Sequence, residues 1–299
     1  MRLKRVLVVY KKSALHLYAK ERRDRRFLRL LRDRHAVTTR FVYSHRAHEN
    51  ALETVRGILA RRRIQARFVY RAHTFNDESF DLVLSVGGDG TFLEASHGVT
   101  KRPLLGLNSN PIDSVGMYCG ARMDNFEEFL DQIEANRLSV VELARLSVRL
   151  SGKTLPDPVL NDILVTNSNP AATCRYILRS RGVEEEHKSS GIWISPPAGS
   201  TGAMMAAGGV HLPLRVRKFQ YRVRELFRPP NRTFKLTGGT LTGREKLVIF
   251  SKLRAGRIFL DGPHVSHPFP IGARAEVSLA APSLHVLGFN ERRREQFCR

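Results

Sequence analysis

Residues 82–91, Leu-Val-Leu-Ser-Val-Gly-Gly-Asp-Gly-Thr, constrain the fold of this chain more than any other stretch. The short, largely apolar run has the character of a parallel strand buried on both faces. It halts at Gly87-Gly88-Asp89-Gly90-Thr91, and Phe92-Leu93-Glu94-Ala95-Ser96 reads as the opening of a helix. Glycines strip away the side chains that would keep a ligand from the backbone N–H groups. A strand that ends this way before a helix N-terminus is a place for phosphates. Asp89 adds a carboxylate that a passive anion cradle does not need. Beside polyphosphate it would be repelled unless Mg²⁺ or a substrate hydroxyl lay between them. The plain alternative is a tight turn whose aspartate caps the following helix.

The first 140 residues alternate strand-like and helix-like pieces. Val6 to Tyr10, Arg67 to Tyr70, Leu82 to Val86 and Leu104 to Leu107 read as strands. Ala51, Leu52, Val55, Ile58 and Leu59 share one helix face, and Phe126, Phe129, Leu130 and Ile133 mark another helix with Asp124 as its expected N-cap. Alternation of this kind argues for a parallel sheet covered on both faces. Past residue 140 the pattern changes. Ala144 to Leu150, Asp162 to Thr166, Cys174 to Ser180, Gly191 to Ser195, Lys246 to Phe250, Arg257 to Leu260, Ala275 to Leu279 and Leu284 to Leu287 read as strands separated by turns. The expected architecture is α/β + β: a Rossmann-like α/β domain with a parallel sheet over residues 1–138, then an antiparallel β domain over 139–279. Residues 280–299 are expected to return to the first domain.

Fifty Lys and Arg against 28 Asp and Glu give a formal net charge of +22. Such a charge suits a nucleic-acid binder, a membrane-surface protein or an enzyme of polyanionic substrates. No helix-turn-helix pattern, zinc-finger spacing or RNP-type aromatic run accompanies it, so nucleic acid is not the expected partner. In the cluster from Arg22 to Arg34, Phe27, Leu28 and Leu31 supply an apolar stripe, which makes the arginines the wet face of a helix. No apolar run approaches a membrane span. Val6-Leu7-Val8-Val9 reads as a first strand rather than a signal core, and Cys119, Cys174 and Cys298 lack metal-like spacing. A cytoplasmic, reducing setting is the expectation. Trp193 reads as core, and His264 and His267 as surface.

Two further segments join the glycine turn. Asn161-Asp162 precedes a strand, and Ser189-Ser190-Gly191-Ile192-Trp193-Ile194-Ser195 runs into Pro196-Pro197-Ala198-Gly199-Ser200-Thr201-Gly202. Together with Gly87 to Thr91, with Gly106-Leu107-Asn108-Ser109-Asn110-Pro111 and Gly116, and with Asp261-Gly262, their order and spacing resemble the NAD kinase family, part of a superfamily that includes diacylglycerol kinases. The resemblance covers about residues 80 to 265. The common bacterial pattern has Asn-Glu where this chain has Asn161-Asp162, Asp in place of Ser190, and Ala-Tyr in place of Gly202-Ala203. Lys188-Ser189-Ser190-Gly191 and Asn108-Ser109-Asn110-Pro111 look like the mitochondrial-type branch.

The resemblance implies transfer of the terminal phosphate of ATP to the 2′-hydroxyl of the NAD adenosine ribose, with ATP and Mg²⁺ as cofactors. Asp89 would then be the catalytic carboxylate, as base or as magnesium ligand. Gly87, Gly88, Gly90 and Thr91 would face phosphate. Asn108, Asn161, Asp162, Ser190, Gly199, Ser200 and Thr201 would bind NAD, with Met117 packing on a base. Asp for Glu at 162 shortens the reach by roughly 1.5 Å. A homo-oligomer is expected by the same resemblance. Two rivals remain: a lipid or other small-molecule kinase of the superfamily, and a non-catalytic nucleotide- or nucleic-acid-binding protein on this fold.

Overall fold

Strand and helix alternate through the first 138 residues: β1 (Arg5–Tyr10), α1 (Arg25–Arg32), α2 (Ala36–Arg61), β2 (Gln65–Tyr70), β3 (Leu82–Gly87), α3 (Asp89–Gly98), β4 (Leu104–Asn108), β5 (Ala121–Arg122) and α4 (Phe126–Glu134). The computed structural model describes residues 2–296. It divides into two units, Met1–Val141 with His285–Arg299, and Glu142–Leu284.

In the first unit the strands stand in the order β2-β1-β3-β4, every pair parallel. Every residue of β3 is buried, as a strand covered by helices on both faces must be. Val6, Val8, Leu82, Leu84, Leu105 and Leu107 pack in one core with Leu52, Val55 and Leu59 of α2 and Phe126, Leu130 and Ile133 of α4. From β1 the chain steps one way to β2 and the other way to β3. The carboxyl ends of β1 and β3 therefore flank a topological switch point, where open α/β sheets hold their ligands. Gly87 to Thr91 leave β3 at that edge.

Some local expectations fail here. Asn125, not Asp124, occupies the N-cap of α4, and its side chain accepts from Arg122 N at 2.7 Å instead of capping the helix. Helix α1 buries none of its residues, and Leu28 is 40% exposed. Phe27 instead packs edge-on against Phe41 of α2.

The second unit is β-rich. It contains most of β6 (Val140–Leu150), β7 (Lys153–Thr154), β8 (Ile163–Asn167), β9 (Cys174–Ser180), β10 (Val183–Ser189), β11 (Gly191–Ser195), α5 (Ala203–Ala206), β12 (Lys218–Arg224), β13 (Gly238–Thr242), β14 (Leu247–Ser251), β15 (Gly256–Leu260), β16 (Val265–Pro268) and most of β17 (Arg274–Leu287). One antiparallel array runs β10-β9-β14-β17, and another runs β13-β12-β11-β8-β15-β16. Tyr176, Leu178, Ile249 and Val277 of the first meet Val165, Ile192, Ile194 and Phe219 of the second in one core.

β10, β12, β13 and β16 escape the sequence reading. Three of them end an array, where strands stay short or charged and carry little apolar signal. β17 passes through Pro282 as a single strand, where two strands were expected. The Pro282 carbonyl accepts from the buried Arg145 Nε at 2.7 Å. Beyond β17, Arg292, Arg293 and Arg294 lie on a short helix, α6 (Glu291–Glu295). Among the described residues no helix is long and apolar enough to cross a membrane.

Candidate active site

The glycine turn is shaped by its neighbours. A Cβ on Gly87 would overlap the Thr91 side chain, and one on Gly88 would overlap Ser114. At Gly90 a Cβ would meet only Arg71 Nη1, at 3.8 Å, and Gly90 is exposed. Packing thus demands the first two glycines, and only the third leaves bare backbone open to a ligand. The Thr91 hydroxyl is buried beneath Gly87 with no hydrogen-bond partner.

Asp89 is the first residue of α3, yet it does not cap that helix; Gly88 holds the N-cap position and makes no side-chain cap bond. The half-buried carboxylate looks the other way. Its Oδ2 accepts from Met117 N at 3.0 Å and its Oδ1 from Tyr118 N at 2.8 Å. An ionised carboxylate has about four lone-pair sites, so two remain for a proton or a cation.

The loop that caps Asp89 is itself anchored. Asn108, at the end of β4, donates from Nδ2 to Ser114 O at 3.0 Å and accepts from Asn110 N at 3.1 Å. Gly116 sits at φ +62°, where a Cβ would overlap Asn108. Arg293 of α6 donates to the carbonyls of Gly116 (3.0 Å), Met117 (3.1 Å) and Cys119. Residues 116–119 therefore give N–H groups to Asp89 and carbonyls to Arg293. The sequence reading expected residues 280–299 to return to the first domain but gave Arg293 no role there. Asn290 before Glu291 was the available signal, because its side chain caps α6 by accepting from Arg293 N at 2.9 Å. Burial pushes the Cys119 thiol well above its ordinary range, which leaves it inert.

In the second unit Asp261 organises the other candidate residues. Its carboxylate accepts from Leu160 N (2.9 Å), Asn161 N (2.6 Å) and Asp162 N (3.1 Å). Asn161 Nδ2 donates to Asp162 Oδ2 at 2.6 Å. Gly199 lies against the Asn161 backbone so closely that a Cβ would overlap its carbonyl. The structure thus gathers Asn161, Asp162, Gly199 and Asp261. Burial pushes the Asp162 carboxyl up to about 6. Burial pushes Asp261 up to about 7, the Asp162 charge adds to this, and the three N–H donors oppose it.

Other candidates stand apart or are engaged. Ser200 is buried and its hydroxyl serves the turn, donating to Pro197 O at 2.8 Å and accepting from Leu212 N at 3.1 Å. Thr201 and Met117 are half-buried. Ser190 lies at the far end of β8 from Asp162: its carbonyl accepts from Thr166 Oγ1 at 3.1 Å. Thr166 stands four steps along the chain from Asp162, roughly 13 Å. Trp193 is half-exposed rather than core, with the Arg224 guanidinium 5.9 Å from its ring centroid. Cys298 falls outside the described residues. Among the described residues no cluster of three His, Cys, Asp or Glu side chains could hold a metal ion.

Comparison with known proteins agrees with this layout. The profile of the ATP-NAD kinase N-terminal domain matches residues 4–138. A probable NADH kinase of rice is 36% identical over 265 residues, which cover 81% of this chain and 82% of that one. An NADH kinase of Arabidopsis thaliana is 33% identical over 267 residues, covering 81% and 83%. The crystal structure of an NAD kinase from Archaeoglobus fulgidus in complex with ATP superposes with a TM-score of 0.68 at 22% identity, covering 98% of this chain and 96% of that one, and so shares the fold. With a glycine turn and aspartate at the switch point, and relatives matched over four-fifths of its length, this chain belongs to the NAD kinase family.

Proposed function

We propose that this kinase transfers the terminal phosphoryl group of ATP to the 2′-hydroxyl of the adenosine ribose of NAD or NADH, yielding NADP or NADPH. Asp89 carries the proposal: a half-buried carboxylate, fixed by two main-chain N–H donors, at the carboxyl edge of the sheet. In the transfer the ribose O2′ forms a bond to the γ-phosphorus and the bond from phosphorus to the β–γ bridging oxygen breaks. The 2′-hydroxyl proton leaves to Asp89 or, where Asp89 holds the cation, to solvent.

Magnesium would fit this site as a passenger of the nucleotide: Asp89 is the one carboxylate that would hold it together with substrate phosphates and water, and it would supply charge neutralisation there. The Gly90 backbone and the first amides of α3 face phosphate. Asn161 and Asp162 of the second unit are the residues for ribose hydroxyls. Their shared hydrogen bond and Asp261 beneath them support that role. The relatives named as NADH kinases favour the reduced dinucleotide as an acceptor here. The family resemblance further supports a homo-oligomer, which light scattering on the purified protein would size.

The test is product formation from NAD and from NADH with Mg²⁺–ATP, wild type beside Asp89→Asn. Wild type is expected to turn over both acceptors. Asp89→Asn, folded by circular dichroism, is expected to lose about 10²–10⁴-fold in kcat. No NADP or NADPH from folded wild type would overturn the proposal.

A further inference from the structure

Two lysines follow β1, and they fare differently. Successive side chains leave a strand on opposite faces. Lys12 is satisfied: its Nζ pairs with Glu21 and lies 4.5 Å from the centroid of the Tyr70 ring. Lys11 is half-buried, and among the described residues no carboxylate lies within ion-pair distance of its ammonium. Its carbonyl is fixed, accepting from His48 Nε2 at 2.7 Å, while His48 Nδ1 meets Ser109 Oγ at 2.9 Å.

The register says what surrounds Lys11. Tyr10 pairs with Val86 on one side and with Tyr70 on the other, so one step further Lys11 stands between Gly87 and Arg71. Arg71 N donates to Tyr10 O at 2.9 Å, which continues that register. The Arg71 guanidinium lies over Gly90, and its Nε meets Glu94 Oε2 at 2.5 Å, one turn along α3. Burial and the Arg71 charge both push the Lys11 pKa below its ordinary value; Asp113 and Cys119 act the other way. Asp113 is already engaged by Arg40, Ser44 and Asn110.

A half-buried ammonium beside a guanidinium, with no carboxylate within ion-pair distance of its own, is a cost in the free protein. The cost turns to gain when an anion arrives. The place selects the anion, since bare Gly90 backbone and the first amides of α3 converge on the same edge. We propose that Lys11 and Arg71 form the cation pair that binds the terminal phosphates of the phosphoryl donor beside Asp89, with Glu94 as the positioning residue for Arg71. This rests on the phosphoryl-transfer reading above. Donor phosphates, rather than the dinucleotide pyrophosphate, are assigned because charge builds on the transferring group next to Asp89.

The experiment measures KM for Mg²⁺–ATP and for NADH separately in wild type, Lys11→Gln and Lys11→Arg, with calorimetric binding of inorganic tripolyphosphate to each. Lys11→Gln is expected to raise KM for Mg²⁺–ATP at least tenfold, to leave KM for NADH within twofold, and to abolish tripolyphosphate binding. Its Tm without ligand is expected to match or exceed wild type, because an unpaired charge has been removed. Lys11→Arg is expected to restore most of the affinity. An unchanged KM for Mg²⁺–ATP, or a rise confined to NADH, overturns the proposal. Should Lys11→Gln fail to fold, Arg71→Gln takes the same measurements under the same criteria. A wild type that makes no product yet binds tripolyphosphate through Lys11 overturns the reaction assigned above and keeps the anion site.

Discussion

Asp89 and Asp261 use their carboxylates in the same way and to different ends. Each accepts main-chain N–H groups from a loop distant in sequence: Asp89 from Met117 and Tyr118, Asp261 from Leu160, Asn161 and Asp162. Both residues are half-buried. Asp89 answers two N–H donors and keeps lone pairs to spare, whereas Asp261 answers three and carries the burden of Asp162 beside it. The difference is one of load. A carboxylate with acceptor capacity left over can also meet a substrate, whereas one whose capacity goes to a loop sets the geometry of others.

The largest effects should separate along that line. Asp89→Asn is expected to change rate far more than stability. Asp261→Ala should instead strand three N–H groups, at about 1–3 kcal/mol for each buried group left unsatisfied. We expect a net loss of about 3 kcal/mol at pH 5, where native Asp261 is largely uncharged and its removal relieves little buried charge. Urea unfolding of the two variants side by side is the measurement. Equal stability losses would break the comparison, since both aspartates would then be structural first.

How much of this was legible beforehand follows from range. The strand, glycine turn and helix at 82–98 are local, so residue type and order reveal them. Which glycine serves packing and which leaves backbone open is not local, because Ser114 decides for Gly88 and Arg71 lies over Gly90. Asp261 could be noticed as part of an Asp-Gly pair, but its partners stand about a hundred residues earlier, where no spacing rule points. Arg293 reaches Met117 across 176 positions and looked like one arginine among many. In β12 the buried Phe219 and Tyr221 alternate with Lys218, Gln220 and Arg222, so the strand signal was present but masked by polar and charged neighbours. Ser190 and Ser200 carried the right chemistry in sequence, yet the fold sends one to the far end of a strand and engages the other in its own turn.

The pair Asp162–Asp261 makes a pH-dependent prediction of intermediate size. Both native carboxyls sit above the ordinary 3.8, at about 6 and about 7. The native state therefore holds protons that the unfolded state has released, and stability falls as pH rises from about 4 to about 7. Asp162→Asn removes its own share of that slope and lightens the load on Asp261. At pH 8 the variant should be more stable than wild type by on the order of 2–3 kcal/mol, while KM for the dinucleotide rises. A stability–pH profile of the same slope in both proteins would show that Asp162 is ionised in the fold throughout.

The smallest effect is expected at Gly90, and it probes the open side of the comparison. A methyl group there meets only Arg71 Nη1 at 3.8 Å, an ordinary contact with the end of a flexible side chain. Gly90 also lies inside α3, where alanine is the better helix former by about 1 kcal/mol. Gly90→Ala should thus be neutral or slightly stabilising without ligand, with Tm at or just above wild type. If bare backbone at this position meets phosphate, the same methyl group must hold the nucleotide away, and KM for Mg²⁺–ATP should rise severalfold. Gly88→Ala reverses the pattern, because Ser114 fills the space and stability is lost first. An unchanged KM in a stable Gly90→Ala protein would mean that phosphate approaches Asp89 from another side, and that the exposure of Gly90 is an accident of packing.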